Sequence, residues 1–145
     1  MSKTRLLCHI VFATKQRKLV ISKKKELYSY MRGIVRNKHC NLIAINGSLD
    51  HVHILVDLHA AVAVADLVKA LKQSSNRWIR DRRFLPLFEG WAPGYFAASV
   101  SEKNVVACFD YINNQSKFHE KSTFFQELER LCRSCGLEWD PEVWE

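Results

Sequence analysis

Residues 40–58, CNLIAINGSLDHVHILVDL, hold two apolar runs of strand length divided by a short polar stretch, NGS or LD. Such runs bounded by Asn, Gly, Ser and Asp form antiparallel hairpins, because the turn residues tolerate the backbone reversal while the runs fill the pleated faces. Helical periodicity on both sides of this hairpin constrains the fold further. Upstream, ISKKKELYSYMRGIVRNKH (21–39) spaces Leu27, Tyr30, Met31, Ile34 and Val35 at helical intervals, with Ser22 as an N-cap. Downstream, residues 63–83 form a second amphipathic helix with Leu67, Val68, Leu71 and Trp78 inward. RLLCHIVFAT (5–14) precedes the first helix as a β-rich run, and GYFAASVS (94–101) follows the second as a fourth strand.

The order β-α-β-β-α-β is the split βαβ, ferredoxin-like plan: an α+β sandwich with an antiparallel sheet and two helices on one face. A third helix is expected from a Ser101 cap through about Phe118, with Val105, Phe109 and Ile112 as its apolar stripe. A last helix runs from Phe124 to Cys135, ahead of the acidic GLEWDPEVWE. The second face of the sheet is left for the third helix or another subunit to cover. With 145 residues and no linker or repeat, the chain reads as one domain over 1–145.

Charge is unevenly distributed. Residues 1–39 carry eleven Lys and Arg against one acid, Glu26, whereas residues 119–145 carry three against seven acids. A basic amino-terminal third suits a polyanion, with a solvated helix face as the plain alternative. Apolar runs are too short to span a bilayer and the start lacks a secretory layout, so the expected location is cytoplasmic. Five irregularly spaced cysteines, with one C-x-x-C (Cys132, Cys135) in a helical pattern, read as core-packing thiols, not as a disulfide framework or zinc set.

Two features carry candidate chemistry. His51 and His53 stand one residue apart in a strand and so share a face, while Val52, Ile54 and Val56 share the other. Two imidazoles on one face form a two-point metal clamp or, alternatively, satisfied polar packing. In DYINNQSKFH, Tyr111 and Gln115 are one turn apart at the edge of the apolar stripe. That position suits a functional phenol and amide, and equally a Tyr packed at a helix rim.

Together these segments resemble a known family. His51-Val52-His53 is similar to the HUH motif of single-tyrosine, IS200-like transposases of bacterial insertion sequences, and Tyr111 to Gln115 resembles their Y-x-x-x-Q helix. HIVFATKQRK and WAPGYFAASVS also look like that family's, in the same order along nearly the whole chain. A tyrosine that follows the histidines, with an amide one turn later, separates this pattern from plasmid relaxases and replication initiators.

The resemblance implies that His51, His53 and Gln115 hold one divalent cation, Mg²⁺ or Mn²⁺, and that Tyr111 attacks DNA to give a 5′-phosphotyrosine. It implies single-stranded DNA hairpins as substrate and a homodimer, with the tyrosine helix acting in cis or in trans. Lys15, Arg17, Lys18, Lys23, Arg77 and Arg83 are the phosphate-contact candidates. No general base is assigned; the phosphate, a metal-bound water and Lys117 are candidates. Rival readings are a non-enzymatic or domesticated single-stranded nucleic-acid-binding relative acting on chromosomal repeats, and a zinc hydrolase. The hydrolase lacks a carboxylate placed as in H-E-x-x-H, since Asp50 and Asp57 flank the strand without having to face the site.

Overall fold

Four antiparallel strands, β1 (Leu7–Ala13), β2 (Asn41–Gly47), β3 (His51–Asp57) and β4 (Phe96–Ser99), form one sheet in the order β2-β3-β1-β4. This computed structural model describes residues 2–119 and 123–144. The β2–β3 hairpin turns through Ser48–Asp50, and Gly47 is required there because a Cβ would run into the His51 carbonyl. Register pairs His53 with Val11 of β1 and with Asn46 of β2, which puts the histidine strand at the centre of the sheet. The ferredoxin-like α+β reading therefore holds.

Helices α1 (Lys24–Asn37) and α2 (Val64–Arg82) lie side by side against one face. Leu27, Met31, Ile34 and Val35 of α1 join Leu67, Val68, Leu71 and Ile79 of α2 against Ile10, Phe12, Val52, Ile54 and Val56. Each fully buried aliphatic side chain here contributes about 1.5–3 kcal/mol of transfer free energy, so this face is the main source of stability. No side-chain cap bond forms at the start of α1, where Lys23 and not Ser22 holds the N-cap position.

The opposite face is covered by the chain itself, through α3 (Val105–Asn113), α4 (Gln115–His119) and α5 (Phe124–Ser134). The single helix expected to Phe118 is in fact two, because Asn46 of β2 donates through Nδ2 to the carbonyls of Ile112 and Asn113 at 3.0 and 3.3 Å. Those carbonyls are thereby diverted from continuing the helix. Ser101 makes no side-chain cap bond. Phe109 is exposed, not inward, and the stripe that packs on Ala44 and Leu55 is Val105, Cys108 and Ile112. Thr123 and Gln126 form a reciprocal capping box that starts α5, setting Phe124, Leu128 and Cys132 against Val11, Ala13 and Phe96. Cys8, Cys40 and Cys132 are buried as expected, whereas Cys135 is exposed.

Candidate active site

Strand alternation turns His9, His51 and His53 toward α3–α5, into a setting that is buried yet polar. His51 and His53 are fully buried, as are Gln115 and, to within 1%, Glu127. Burial of so many polar groups is tolerable only because they satisfy one another. Both buried strand histidines are fixed at the ring nitrogen that points away from the centre. His51 Nδ1 donates to Asp50 Oδ1 at 2.7 Å, and His53 Nδ1 shares a proton with His9 Nε2 at 2.8 Å.

Their Nε2 atoms face inward. His51 Nε2 lies 3.2 Å from Glu127 Oε1 and 3.2 Å from Gln115 Oε1, and His53 Nε2 lies 3.0 Å from Glu127 Oε1. His119 Nε2 lies 3.0 Å from the same Glu127 oxygen and 3.1 Å from Gln115 Oε1. The other carboxylate oxygen, Glu127 Oε2, accepts from Gln115 Nε2 at 2.7 Å and from the Tyr111 hydroxyl. Phe124 closes the cluster, its ring 4.4 Å from that of His51.

Electrostatics follow from this crowding. Burial disfavours a charged His51, but hydrogen bonds to Asp50 and Glu127 outweigh it and lift its pKa to about 9. Burial and the neighbouring His53 push His9 down to about 3, and burial likewise lowers His53. Burial works against ionised Glu127, yet hydrogen bonds from His119, His51 and His53 hold its carboxyl far below the usual carboxylate range. Burial, with Glu127 beside it, raises the Tyr111 phenol well above its ordinary value.

The donor set fits a divalent cation. One nitrogen each from His51 and His53 and one oxygen of Glu127 lie within 4.8 Å of one another, all buried. Outer partners on the far nitrogens, Asp50 and His9, orient the rings as outer partners of metal-bound imidazoles do.

All four residues expected to act together, His51, His53, Tyr111 and Gln115, converge within one chain. The phosphate-contact candidates lie elsewhere. Lys15 is exposed, and Arg17 stacks its guanidinium over Phe125 at 3.7 Å. Lys18 is ion-paired with Glu89 at 2.5 Å. Lys23 sits 5.0 Å over the Phe84 ring, bringing the start of α1 to the end of α2. Arg77 is exposed on α2, and Arg83 caps that helix in the left-handed region at φ 49°.

Three members of the cluster escaped the sequence reading, His9, His119 and Glu127, and a fourth, Asp50, was set aside there as a residue flanking the strand. Asp50 does face the site, through the His51 ring. Glu127 was detectable as a carboxylate among Phe124, Leu128 and Leu131, on the apolar stripe of its helix. His119 continues the Tyr111–Gln115 spacing by one more turn, and His9 shares the inward-facing parity of Val11 and Ala13.

A family model described as "Transposase IS200 like" matches residues 2–115. The chain belongs to the IS200-like transposase family. It is 27% identical to the transposase for insertion sequence element IS200 of Salmonella typhimurium, over 79% of this chain and 81% of that protein, and equally so to its Salmonella typhi counterpart. Among solved structures, a candidate transposase from Deinococcus radiodurans R1 is 30% identical, with a TM-score of 0.61, covering 79% of this chain and 93% of the other. The REP-associated tyrosine transposase bound to a REP hairpin is 16% identical, with a TM-score of 0.63, over 100% of this chain and 94% of that one, a likeness of fold. The family match ends at Gln115, so His119 and Glu127 lie beyond it. Among the described residues, no helix of this transposase-family chain is long and apolar enough to cross a membrane.

Proposed function

We propose that this protein cleaves and rejoins single-stranded DNA through a covalent bond to Tyr111, using a divalent metal ion held by His51, His53, Glu127 Oε1 and Gln115 Oε1. The observation that carries this reading is the meeting of the Tyr111 hydroxyl, the Gln115 amide and both inward imidazoles on one buried carboxylate, Glu127. A bound Mg²⁺ or Mn²⁺ would supply Lewis-acid withdrawal of charge from the scissile phosphate and fix its orientation. Asp50 and His9 hold the imidazoles with Nε2 inward, and Gln115 Nε2 anchors the free oxygen of the Glu127 carboxylate.

Tyr111 Oη attacks phosphorus. An Oη–P bond forms as the P–O3′ bond breaks, leaving a 5′-phosphotyrosine and a free 3′-hydroxyl. The Tyr111 hydroxyl donates to Glu127 Oε2, which orients Oη; because imidazole hydrogen bonds hold that carboxyl far below the usual carboxylate range, Glu127 positions the phenol, and a phosphate oxygen is the acceptor proposed for its proton, which the departing O3′ then takes up. Attack by another 3′-hydroxyl reverses the exchange, one phosphodiester for another, without ATP. The convergence of these groups within one chain supports a reading in which each tyrosine acts on its own subunit's site, so that a homodimer would carry two complete sites.

Hairpin DNA is the proposed substrate, as in the REP-hairpin complex of the structural neighbour. Lys23, Arg77 and Arg83, around the joined ends of α1 and α2, would take its phosphates, with Lys15 and Arg17 on the turn that follows β1 as further candidates. Such a substrate places the protein in the cytoplasm. The test is incubation of wild type and Tyr111→Phe with single-stranded hairpin DNA and Mn²⁺. Unchanged hairpin binding with lost cleavage is expected of the variant. Cleavage by Tyr111→Phe, or cleavage that leaves no covalent adduct on wild type, would point to attack by water and overturn the reading.

A further inference from the structure

We infer that Asn46 is a positioning residue for strand cleavage: it sets where α3 ends, and so holds Tyr111 and Gln115 on one carboxylate. This rests on the reading that Tyr111 attacks phosphorus. Asn46 stands opposite His53 in the β2–β3 ladder, so its half-buried side chain rises on the imidazole face beside that ring. Ala44, two residues earlier on the same face, packs against Ile112 of α3. Asn46 Nδ2 donates to the carbonyls of Ile112 and Asn113 at 3.0 and 3.3 Å. Those two residues lie in the chain between the nucleophile and the amide.

The bend held in this way decides the geometry of the site. In an unbroken helix the Ile112 and Asn113 carbonyls would accept from the amides of Ser116 and Lys117. With Asn46 as their donor, Asn114 leaves the helical backbone at φ −102° and ψ 21°, and α4 starts afresh at Gln115. Asn114 closes α3 by donating through its backbone amide and its Nδ2 to the Asp110 carbonyl, at 3.1 and 2.8 Å. Across this bend the Tyr111 hydroxyl and Gln115 Nε2 both donate to Glu127 Oε2. The Tyr111 ring also stands edge-on to His53, their centroids 5.7 Å apart.

One side chain on the sheet thus ties the helix of the nucleophile to the strand pair that carries His53. The hydrogen bonds that Asn46 donates go to backbone, so it acts on the reaction through the residues it holds. Its effect falls on the alignment of Oη with the phosphate. A displacement of ~1 Å there is enough to lower a rate by about 100-fold. Hairpin affinity, assigned to basic residues around α1 and α2, does not pass through this bond.

The test is single-turnover cleavage of a single-stranded hairpin oligonucleotide by the full chain with Mn²⁺, beside hairpin affinity measured on the same samples. Wild type, Asn46→Asp, Asn46→Ala and Tyr111→Phe are compared. Asn46→Asp keeps the shape of the side chain but turns a carboxylate toward two carbonyl oxygens, so its cleavage rate is expected to fall by about 100-fold. Asn46→Ala, which removes the donor without adding charge, should lose roughly ten-fold or more. Both should bind the hairpin as wild type does, a split that loss of folded protein would not produce. If both variants cleave like wild type, or lose cleavage and binding in equal proportion, the inference fails and the reading of Tyr111 stands on the wild-type adduct. If wild type forms no adduct, or Tyr111→Phe still cleaves, both fail.

Discussion

Strand β3 sends its side chains into two environments that share one backbone and little else. Toward α1 and α2 go Val52, Ile54 and Val56, fully buried among aliphatic and aromatic neighbours such as Ile10, Phe12, Leu27 and Leu71. Toward α3, α4 and α5 go His51 and His53, equally buried, but among Glu127, Gln115, His9 and His119. The first face is held by close packing, which needs only apolar shape. The second is held by a hydrogen-bonded network whose members cannot be removed singly without stranding a partner. A rigid apolar face thus fixes the imidazoles at their backs, and the polar face carries the chemistry proposed above on an assembled scaffold.

Substitutions on the two faces should separate stability from metal response. Ile54→Ala, on the packed face, should cost about 2–5 kcal/mol in denaturant unfolding, with the gain from Mn²⁺ intact where the variant remains folded. A cost within the noise would mean that this face is not the source of stability. Glu127→Gln keeps the shape of the side chain and removes its charge. Wild type should gain about 2.7 kcal/mol from Mn²⁺ at a hundred times its Kd, and the variant should lose most of that gain. A Glu127→Gln protein stabilised like wild type would remove the carboxylate from the metal set. The smallest effect is expected from Phe109→Ser, on the exposed side of α3. Its unfolding free energy should stay within about 0.5 kcal/mol of wild type. A larger loss would show that this side is covered in solution.

The packed face was legible from sequence because periodicity alone specifies it: Leu27, Met31, Ile34 and Val35 repeat at helical intervals, and Val52, Ile54 and Val56 alternate. The two imidazoles and the Tyr111–Gln115 pair were legible because their spacing forces each pair onto one side of its element. Glu127 was harder to find. Read locally, a Glu in FFQELER belongs to a solvated helix, and only tertiary packing shows that its position on the stripe is buried. The break after Asn113 was hidden for a related reason: its cause, Asn46, lies on a strand far away in sequence. Phe109 was misplaced because Val105, Phe109 and Ile112 form as good a helical stripe as Val105, Cys108 and Ile112, and only packing on Ala44 and Leu55 selects the second. His119 carried a readable signal in its four-residue offset from Gln115, but a lone histidine at that offset specifies nothing until Glu127 is beside it.

The most direct measurement is mass spectrometry of the protein after incubation with a single-stranded hairpin oligonucleotide and Mn²⁺. A nucleotide fragment joined by its 5′-phosphate to the Tyr111 peptide, formed only with metal and absent from His51→Ala, is the expected result. Cut DNA with Tyr111 unmodified, or an adduct on another residue, would contradict the central claim.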